Sequence, residues 1–351
     1  MTDLFQKMQS QLELSYPFAV FSKPGSDMVT GIFQNNSEAH FLTDFSQKGF
    51  AFAPFDGDAV CFIPADAADV LSVTLKNNDF IPAEAKQPAI DPAAKNSFES
   101  LVAKSVAAIQ SGAFEKLVVS RTEAIEANID VTDIYGKLLS AYPMAYRYCF
   151  YHPQSGLWMG ATPEQLLKVE NKTLHTVALA GTQLYREGEA AVWENKEKEE
   201  QQFVTTYIID SVKPYTDGIN KTEPYTFRAG NIVHIKTDIS AELKDSQSLK
   251  GIIDVLHPTP AVCGLPKQEA KQFLLDNEGY DRQYYSGYLG ELNIDLDTGQ
   301  PKTDLFVNLR CMKVTGQTAH LFIGCGITKD SNPEKEFMET VNKSMTMRRV
   351  I

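Results

Sequence analysis

From Lys116 onward the chain is dominated by short segments in which apolar and polar residues alternate. They read KLVVSRTEAIEA, YRYCFYH, GLWMGAT, EQLLKVEN and TLHTVALAG, then GNIVHIKTDIS, SGYLGELNID, LFVNLRCMKV and HLFIGCGI. A period of two puts successive side chains on opposite faces, so the pattern predicts half-buried antiparallel strands. Helical stretches interrupt the strands only around residues 189–213, 266–277 and 333–347. The mixture is therefore α+β rather than a regular βαβ repeat. No G-x-G-x-x-G and no G-x-x-x-x-G-K-[ST] occurs, which removes a Rossmann dinucleotide site and a P-loop, and GCGITK matches them only superficially.

Residues 1 to about 80 alternate apolar runs such as HFLTDF and DAVCFIPA with polar turns, suggesting strands with short helices and no legible chemistry. The proline- and alanine-rich stretch from Ile81 to Ser97 reads as an exposed connector before the helix SFESLVAKSVAAIQSG. This divides the chain into an N-terminal part, 1–96, and a main region, 97–351.

A formal net charge of −12 argues against a general nucleic-acid binder, which needs a basic surface for phosphates. A small anion can still be held locally, by a divalent cation, a few basic side chains or backbone N–H groups. The N-terminus has no basic region followed by an apolar run, and no stretch approaches the roughly 20 apolar residues that span a bilayer. A cytoplasmic protein without membrane association is expected. The five cysteines are scattered with no C-x-x-C pair, so they are expected to be reduced thiols rather than disulfides or zinc ligands.

The densest chemistry is C-terminal. In GCGITKDSNPEKEFMETVNKS, Ser331 to Glu334 form an S-x-x-E helix start with proline in the first turn, so a helix follows Asn332. Glu336, Glu339 and Lys343 then share one face, while Phe337, Val341 and Met345 form an apolar stripe. WENKEKEEQQFVTTYIIDSV repeats the device with Glu197 and Glu200, backed by Val204, Tyr207 and Ile208. Facing each other, two such helices would offer only oxygen ligands, which favours Mg2+ over zinc. Apart, they are ordinary salt-bridged surface helices.

Single residues allow two readings each. Lys116 is either a snorkelling edge residue or a functional amine with a pKa lowered by burial. Glu164, after GATP, is either an N-terminal cap or a general acid whose pKa burial raises. ALAGT, Ala178 to Thr182, is read as a strand ending in a tight glycine turn, and GCG at Gly324 to Gly326 as a similar turn; both could bind an oxyanion or merely turn the chain. LHPTPAVCGLPK is a stiff loop suited to a pocket wall or a rigid connector. Arg310, inside the apolar segment VNLRCMKV, needs a carboxylate partner from the protein or a ligand. His234 in NIVHIKT reads as a satisfied core histidine.

In chain order, KLVVSR, GATPEQLL, ALAGT, KEKEEQQFV, HPTPAVCGLP, YYSGYLGE, VNLRCMKV and GCGITKDSNPEKEFMETVNK resemble the chorismate-utilising enzymes, and among them the isochorismate synthases of menaquinone and siderophore pathways. The resemblance covers roughly residues 97–349, and is loose over 1–96. It implies a single α/β domain of two antiparallel sheets flanked by helices, and a Mg2+-dependent isomerisation of chorismate by water addition at C2 and loss of the C4 hydroxyl. By position it makes Lys116 the base that activates water and Glu164 the acid that protonates the departing hydroxyl. Glu200 and Glu339 become metal ligands, supported by Glu197 and Glu336. Arg310, Lys343, Gly181 with Thr182, and the Gly324 to Gly326 backbone would hold the substrate carboxylates, with Tyr285, His234, Ala261 and Val262 bordering the pocket.

Anthranilate and aminodeoxychorismate synthases resemble PAGTVSG in the HPTPAVCG loop, with threonine where this chain has Ala261. Anthranilate synthases also lack a lysine matching Lys116 and draw ammonia from a glutaminase, so no glutaminase subunit is expected. Ala261 disfavours the alternative of a salicylate synthase, which would go on to eliminate pyruvate, and the joint presence of Lys116 and Glu164 disfavours a non-catalytic chorismate-binding protein. One departure concerns the metal helix, where the family's usual Glu-His is Glu200-Gln201 here, which leaves the glutamate in place.

Overall fold

The computed structural model describes residues 1–75, 87–188, 191–229, 232–245 and 247–351, without the side chains of residues 182, 184, 196, 229 and 232. The chain starts with helix α1 (Thr2–Leu14) and strands β1 (Phe18–Ser22), β2 (Met28–Gln34), β3 (Gly49–Ala53), β4 (Cys61–Pro64) and β5 (Ala68–Thr74). Helix α2 (Pro92–Gln110) leads to β6 (Lys116–Glu126), α3 (Val131–Ala141), the hairpin β7 (Tyr146–His152) and β8 (Gly156–Thr162), then β9 (Gln165–Glu170) and β10 (Thr173–Leu184). Next come α4 (Asn195–Val212), β11 (Thr216–Lys221), β12 (Tyr225–Ala229), β13 (Ile232–Leu243), α5 (Ser248–Leu256), β14 (Gly264–Leu265) and α6 (Lys267–Asn277). The chain closes with β15 (Tyr288–Leu292), β16 (Lys302–Val307), β17 (Cys311–Thr315), β18 (Thr318–Ile327) and α7 (Pro333–Arg348).

These strands make two sheets. The first runs β14-β6-β18-β17-β8-β7-β1-β2-β5, and the second β11-β13-β10-β9-β16-β15-β3-β4, with β12 also on β13. The pairings among the described strands are antiparallel, and β18 joins β6 without a break from Thr318 opposite Glu126 to Ile327 opposite Leu117. The quiet N-terminal part is thus woven into both sheets: β1 pairs with β7, and β3 with β15. Helix α2 begins at Pro92, capped by the Asp91 side chain, a few residues ahead of the SFESLVAK segment.

Inward faces of the two sheets meet in an aromatic core in which Phe21, Tyr146, Tyr148, Phe150 and Trp158 of one pack against Phe50, Phe52 and Phe306 of the other. The outer faces are also covered. Helices α1 and α3 lay Leu4, Met8, Ile134 and Leu138 on the first sheet, while α4 and α5 lay Ile208, Val212, Ile252 and Ile253 on the second. This explains why central strands such as β7 are apolar on both faces instead of alternating cleanly. A fourth cluster binds α2, α6 and α7 to the start of β6 through Phe98, Val102, Leu274, Phe337, Val341, Leu117 and Val119. The expected stripe on α7 changes at one point: Met347 is buried, and Met345 is only half-buried. The N-cap of that helix is Asn332, whose side chain accepts from the Lys335 N–H, while Ser331 accepts from Thr328.

Candidate active site

Glu164 sits where the chain passes from one sheet to the other, between β8 and β9. Its backbone is fixed on both sides. The Val307 N–H donates to the Glu164 carbonyl at 2.9 Å, and the Thr162 hydroxyl accepts from the Glu164 N–H while donating to the Val307 carbonyl. The carboxyl is thereby held at the seam between the sheets. Enclosure by protein pushes its pKa up to about 7, against the pull of the Lys116 charge and the Thr259 hydroxyl.

Lys116 is the first residue of β6, paired with Leu265 of β14. The burial expected of a neutral amine is not found. Its side chain is 26% exposed, and Nζ lies 3.3 Å from a Glu200 carboxylate oxygen, an ion-pair partner. Gly326 lies alongside: a Cβ there would come within 3.2 Å of the Lys116 Cε. Gly326→Ala should therefore shift the Lys116 side chain by a few tenths of an ångström and lower turnover by well under the roughly 10²-fold that a 1 Å misplacement costs. Unchanged kcat in that variant would show that the Lys116 position is not critical.

The GCG segment is not a turn. Gly324 to Gly326 lie inside β18 opposite Ser120 to Val118. The Ser120 N–H is spent on Glu278 and the Val118 N–H on the Cys263 carbonyl, so both residues form non-hydrogen-bonded pairs with their β18 partners. The amides of Gly324 and Gly326 consequently point away from β6, toward the edge where Lys343 donates to the Gly324 carbonyl at 3.0 Å. Lys343 is also ion-paired with Glu339 at 2.6 Å. Tyr285, buried and stacked on Phe322, brings its hydroxyl against Gly324, where an added Cβ would stand 2.6 Å away. Arg310 is not within a strand either; it occupies a bend before β17 at φ 48°. Burial lowers the pKa of its guanidinium, with the Glu339 carboxylate as an opposing charge.

At the other end of the seam, ALAGT also corrects the sequence reading. Strand β10 runs on through it, with a bulge between Ala180 and Gln183 and Gly181 at φ 69°. The Gly181 carbonyl meets His234 Nδ1 at 2.9 Å, which satisfies that half-buried ring. The Thr182 side chain lies outside the described residues. Gly181 backs onto Glu197, whose two carboxylate oxygens accept from the Glu194 N–H and from Gln183, so Glu197 helps to cap α4. Gln201 points inward and donates to Thr205 and Thr237, tying α4 to β13. That resolves the departure at the metal helix: position 201 faces the sheet while Glu200 faces Lys116. In the proline loop Ala261 is exposed, but Val262 is 2% exposed and belongs to the core, so its side chain does not line a pocket.

Among the described residues, no three Asp, Glu, His or Cys groups stand close enough to hold a metal ion between them. The expected four-glutamate convergence is thus not a preformed cage. The donor chemistry nevertheless suits Mg2+, which keeps several waters and needs only one or two protein carboxylates. Glu336 is raised in pKa by burial and by the adjacent Glu339 charge, a pairing that a divalent cation would relieve.

Sequence reading missed the pair Glu278 and Arg282. Their side chains are each 2% exposed and joined at 2.6 Å. Arg282 also donates to the carbonyls of Val118 and Val262, and Glu278 accepts from Ser120, so the pair ties β6 to the Ala261 loop. An acid and an arginine four apart in EGYDR were the only signal.

No helix among the described residues is long and apolar enough to cross a membrane. A family model described as "Chorismate binding enzyme" matches residues 66–351, beginning ahead of the boundary expected at 97. The salicylate biosynthesis isochorismate synthase of Pseudomonas aeruginosa is 30% identical over 267 residues, which cover 73% of this chain and 55% of that protein. Isochorismate synthase MenF of Escherichia coli is 27% identical over 267 residues, 73% of this chain and 60% of that one. The chain thus spans little more than half the length of these relatives. The solved structure of the menaquinone-specific isochorismate synthase MenF from Escherichia coli superposes with a TM-score of 0.78 at 19% identity, covering 96% of this chain and 89% of that one, a likeness of fold. With two antiparallel sheets, flanking helices and a family match through residues 66–351, the chain belongs to the chorismate-binding enzymes.

Proposed function

We propose that the chain is a Mg2+-dependent isochorismate synthase. The observation that supports this reading most is a Glu164 carboxyl enclosed at the seam of the two sheets, its pKa raised by burial to about 7 and within the field of the Lys116 charge. In the reaction Lys116 takes a proton from water as its oxygen bonds to C2, the ring double bonds shift, the C4–O bond breaks, and Glu164 gives its proton to the departing hydroxide. One water enters and one leaves. Each proton transfer contributes about 10²- to 10⁴-fold. Lys116 has to part from Glu200 to act as base, and Glu200 is one of the glutamates that would hold the metal.

Chorismate is a dianion, and an acidic chain must gather positive charge locally to hold it. Arg310, Lys343 and the outward amides of Gly324 and Gly326 are assigned to its carboxylates, with Tyr285 and His234 at the pocket border. Glu200 and Glu339 would hold Mg2+, backed by Glu336 and Glu197. Bound there, the cation supplies positive charge to the ring carboxylate.

The test is incubation of purified protein with chorismate and Mg2+ followed by product analysis. Isochorismate without pyruvate, abolished by a chelator and restored by Mg2+, is the expected outcome. Stoichiometric pyruvate with salicylate would replace the assignment by a salicylate synthase, and binding without product would make the chain non-catalytic.

A further inference from the structure

The loop that carries Ala261 is fastened at several points that the catalytic scheme leaves unexplained. Burial keeps His257 neutral, with its pKa down at about 4, and Nε2 meets the Pro54 carbonyl at 3.0 Å. Lys267 donates to the His257 carbonyl at 3.0 Å, and Arg282 to the Val262 carbonyl at 2.8 Å. Within the loop, the Thr259 carbonyl accepts from both Val262 and Cys263. These ties deliver one polar group to a fixed place. The Thr259 hydroxyl is buried and makes no hydrogen bond of full geometry, yet it lies close enough to the Glu164 carboxyl to pull its pKa down.

A buried hydroxyl without a full hydrogen bond costs free energy, and exchange for an isosteric methyl is ordinarily neutral or stabilising. Hydrogen bonds at catalytic groups are often incomplete without substrate and tighten as the reaction proceeds. The other side of the acid is fixed by Thr162 and Val307, and Lys116 is the charged group that faces it. The carboxyl therefore has one donor held ready and otherwise unused. We propose that Thr259 is a positioning residue for Glu164, its hydroxyl completing a hydrogen bond to the carboxylate left when the acid has given its proton to the departing hydroxyl. The inference rests on the isochorismate synthase reading. It assigns the proline loop a role beyond shaping the pocket wall.

Thr259→Val and Thr259→Ser test this. The Glu164 carboxyl is followed by isotope-edited infrared difference spectroscopy, using Glu164→Gln as the blank, and kcat is measured across pH on the same samples. Removing a donor to the charged form should move the Glu164 titration upward by about half to one pH unit in Thr259→Val. The alkaline limb of kcat should move with it, and thermal stability should be unchanged or higher. Thr259→Ser should restore wild-type values. An unmoved titration in Thr259→Val overturns the inference even if chorismate is converted. A moved titration in protein that converts no chorismate upholds the contact and removes the proposed activity instead.

Discussion

Glu164→Gln is expected to lower chorismate turnover by about 10²- to 10⁴-fold while leaving the protein folded, and more stable than wild type above pH 7. The amide keeps the shape of the acid but has no proton that it can release to a departing hydroxide. In the wild-type protein the same loss should set in gradually. As pH rises through about 7 the carboxyl empties, so the activity that depends on its proton falls on the alkaline side.

The stability half of this prediction follows from linkage. The Glu164 pKa is raised from 4.5 to about 7, so between those values the folded state binds more proton than the unfolded one. Stability contributed by the protonated form is therefore complete below about 4.5 and is lost as pH rises through 7. Glutamine stays neutral and escapes that loss. Thermal midpoints of variant and wild type should coincide in acid and separate in favour of the variant above pH 7, a familiar exchange of stability for function. Turnover near the wild-type level would remove Glu164 from the chemistry, and a variant midpoint lower than wild type at pH 8 would show that the carboxyl is not strained by enclosure.

The apolar-rich segments YRYCFYH and GLWMGAT locate β7 and β8 residue for residue, because hairpin strands carry their signal locally. That signal fails where strands are irregular. Gly181 and Gly324 read as turns because glycine marks turns more often than strand interiors, yet one sits in a bulge and the other in an open-edged strand that needs close backbone approach. Arg310 reads as a strand residue because its neighbours are apolar, whereas its positive φ places it at the bend before β17. The N-terminal strands look featureless because their partners are remote: Phe18 lies opposite Tyr151, and Phe52 opposite Leu289. Spacing suggests that Glu197 and Glu200 share a helical face. It cannot foresee that Glu197 is engaged in capping while Glu200 meets Lys116, since both contacts depend on neighbours from elsewhere in the fold.

The largest effect on stability should come from Arg282→Ala, expected to cost about 3–5 kcal/mol because it leaves a carboxylate buried without its cation. The loss is not confined to one ion pair. The guanidinium spends Nε and Nη2 on the Glu278 carboxylate, and Nη1 and Nη2 on the Val262 and Val118 carbonyls, so its removal strands three acceptors at once. It also lies 4.5 Å from the Phe55 ring centroid, adding a packing loss that a short side chain cannot recover. Arg282→Lys should fall between, since an ammonium keeps the charge but cannot form the planar fork to Glu278. The double change Glu278→Gln with Arg282→Ala should regain part of the loss by removing the unpaired charge, while the introduced amide oxygen still accepts from Ser120. Urea unfolding of the set measures these differences, and a cost for Arg282→Ala below about 1 kcal/mol would place the pair with ordinary surface ion pairs. Because Val118 and Val262 flank Lys116 and Ala261, any Arg282 variant that still folds should lose turnover more than its substrate KM changes, as expected when reacting groups are misaligned while carboxylate binding persists.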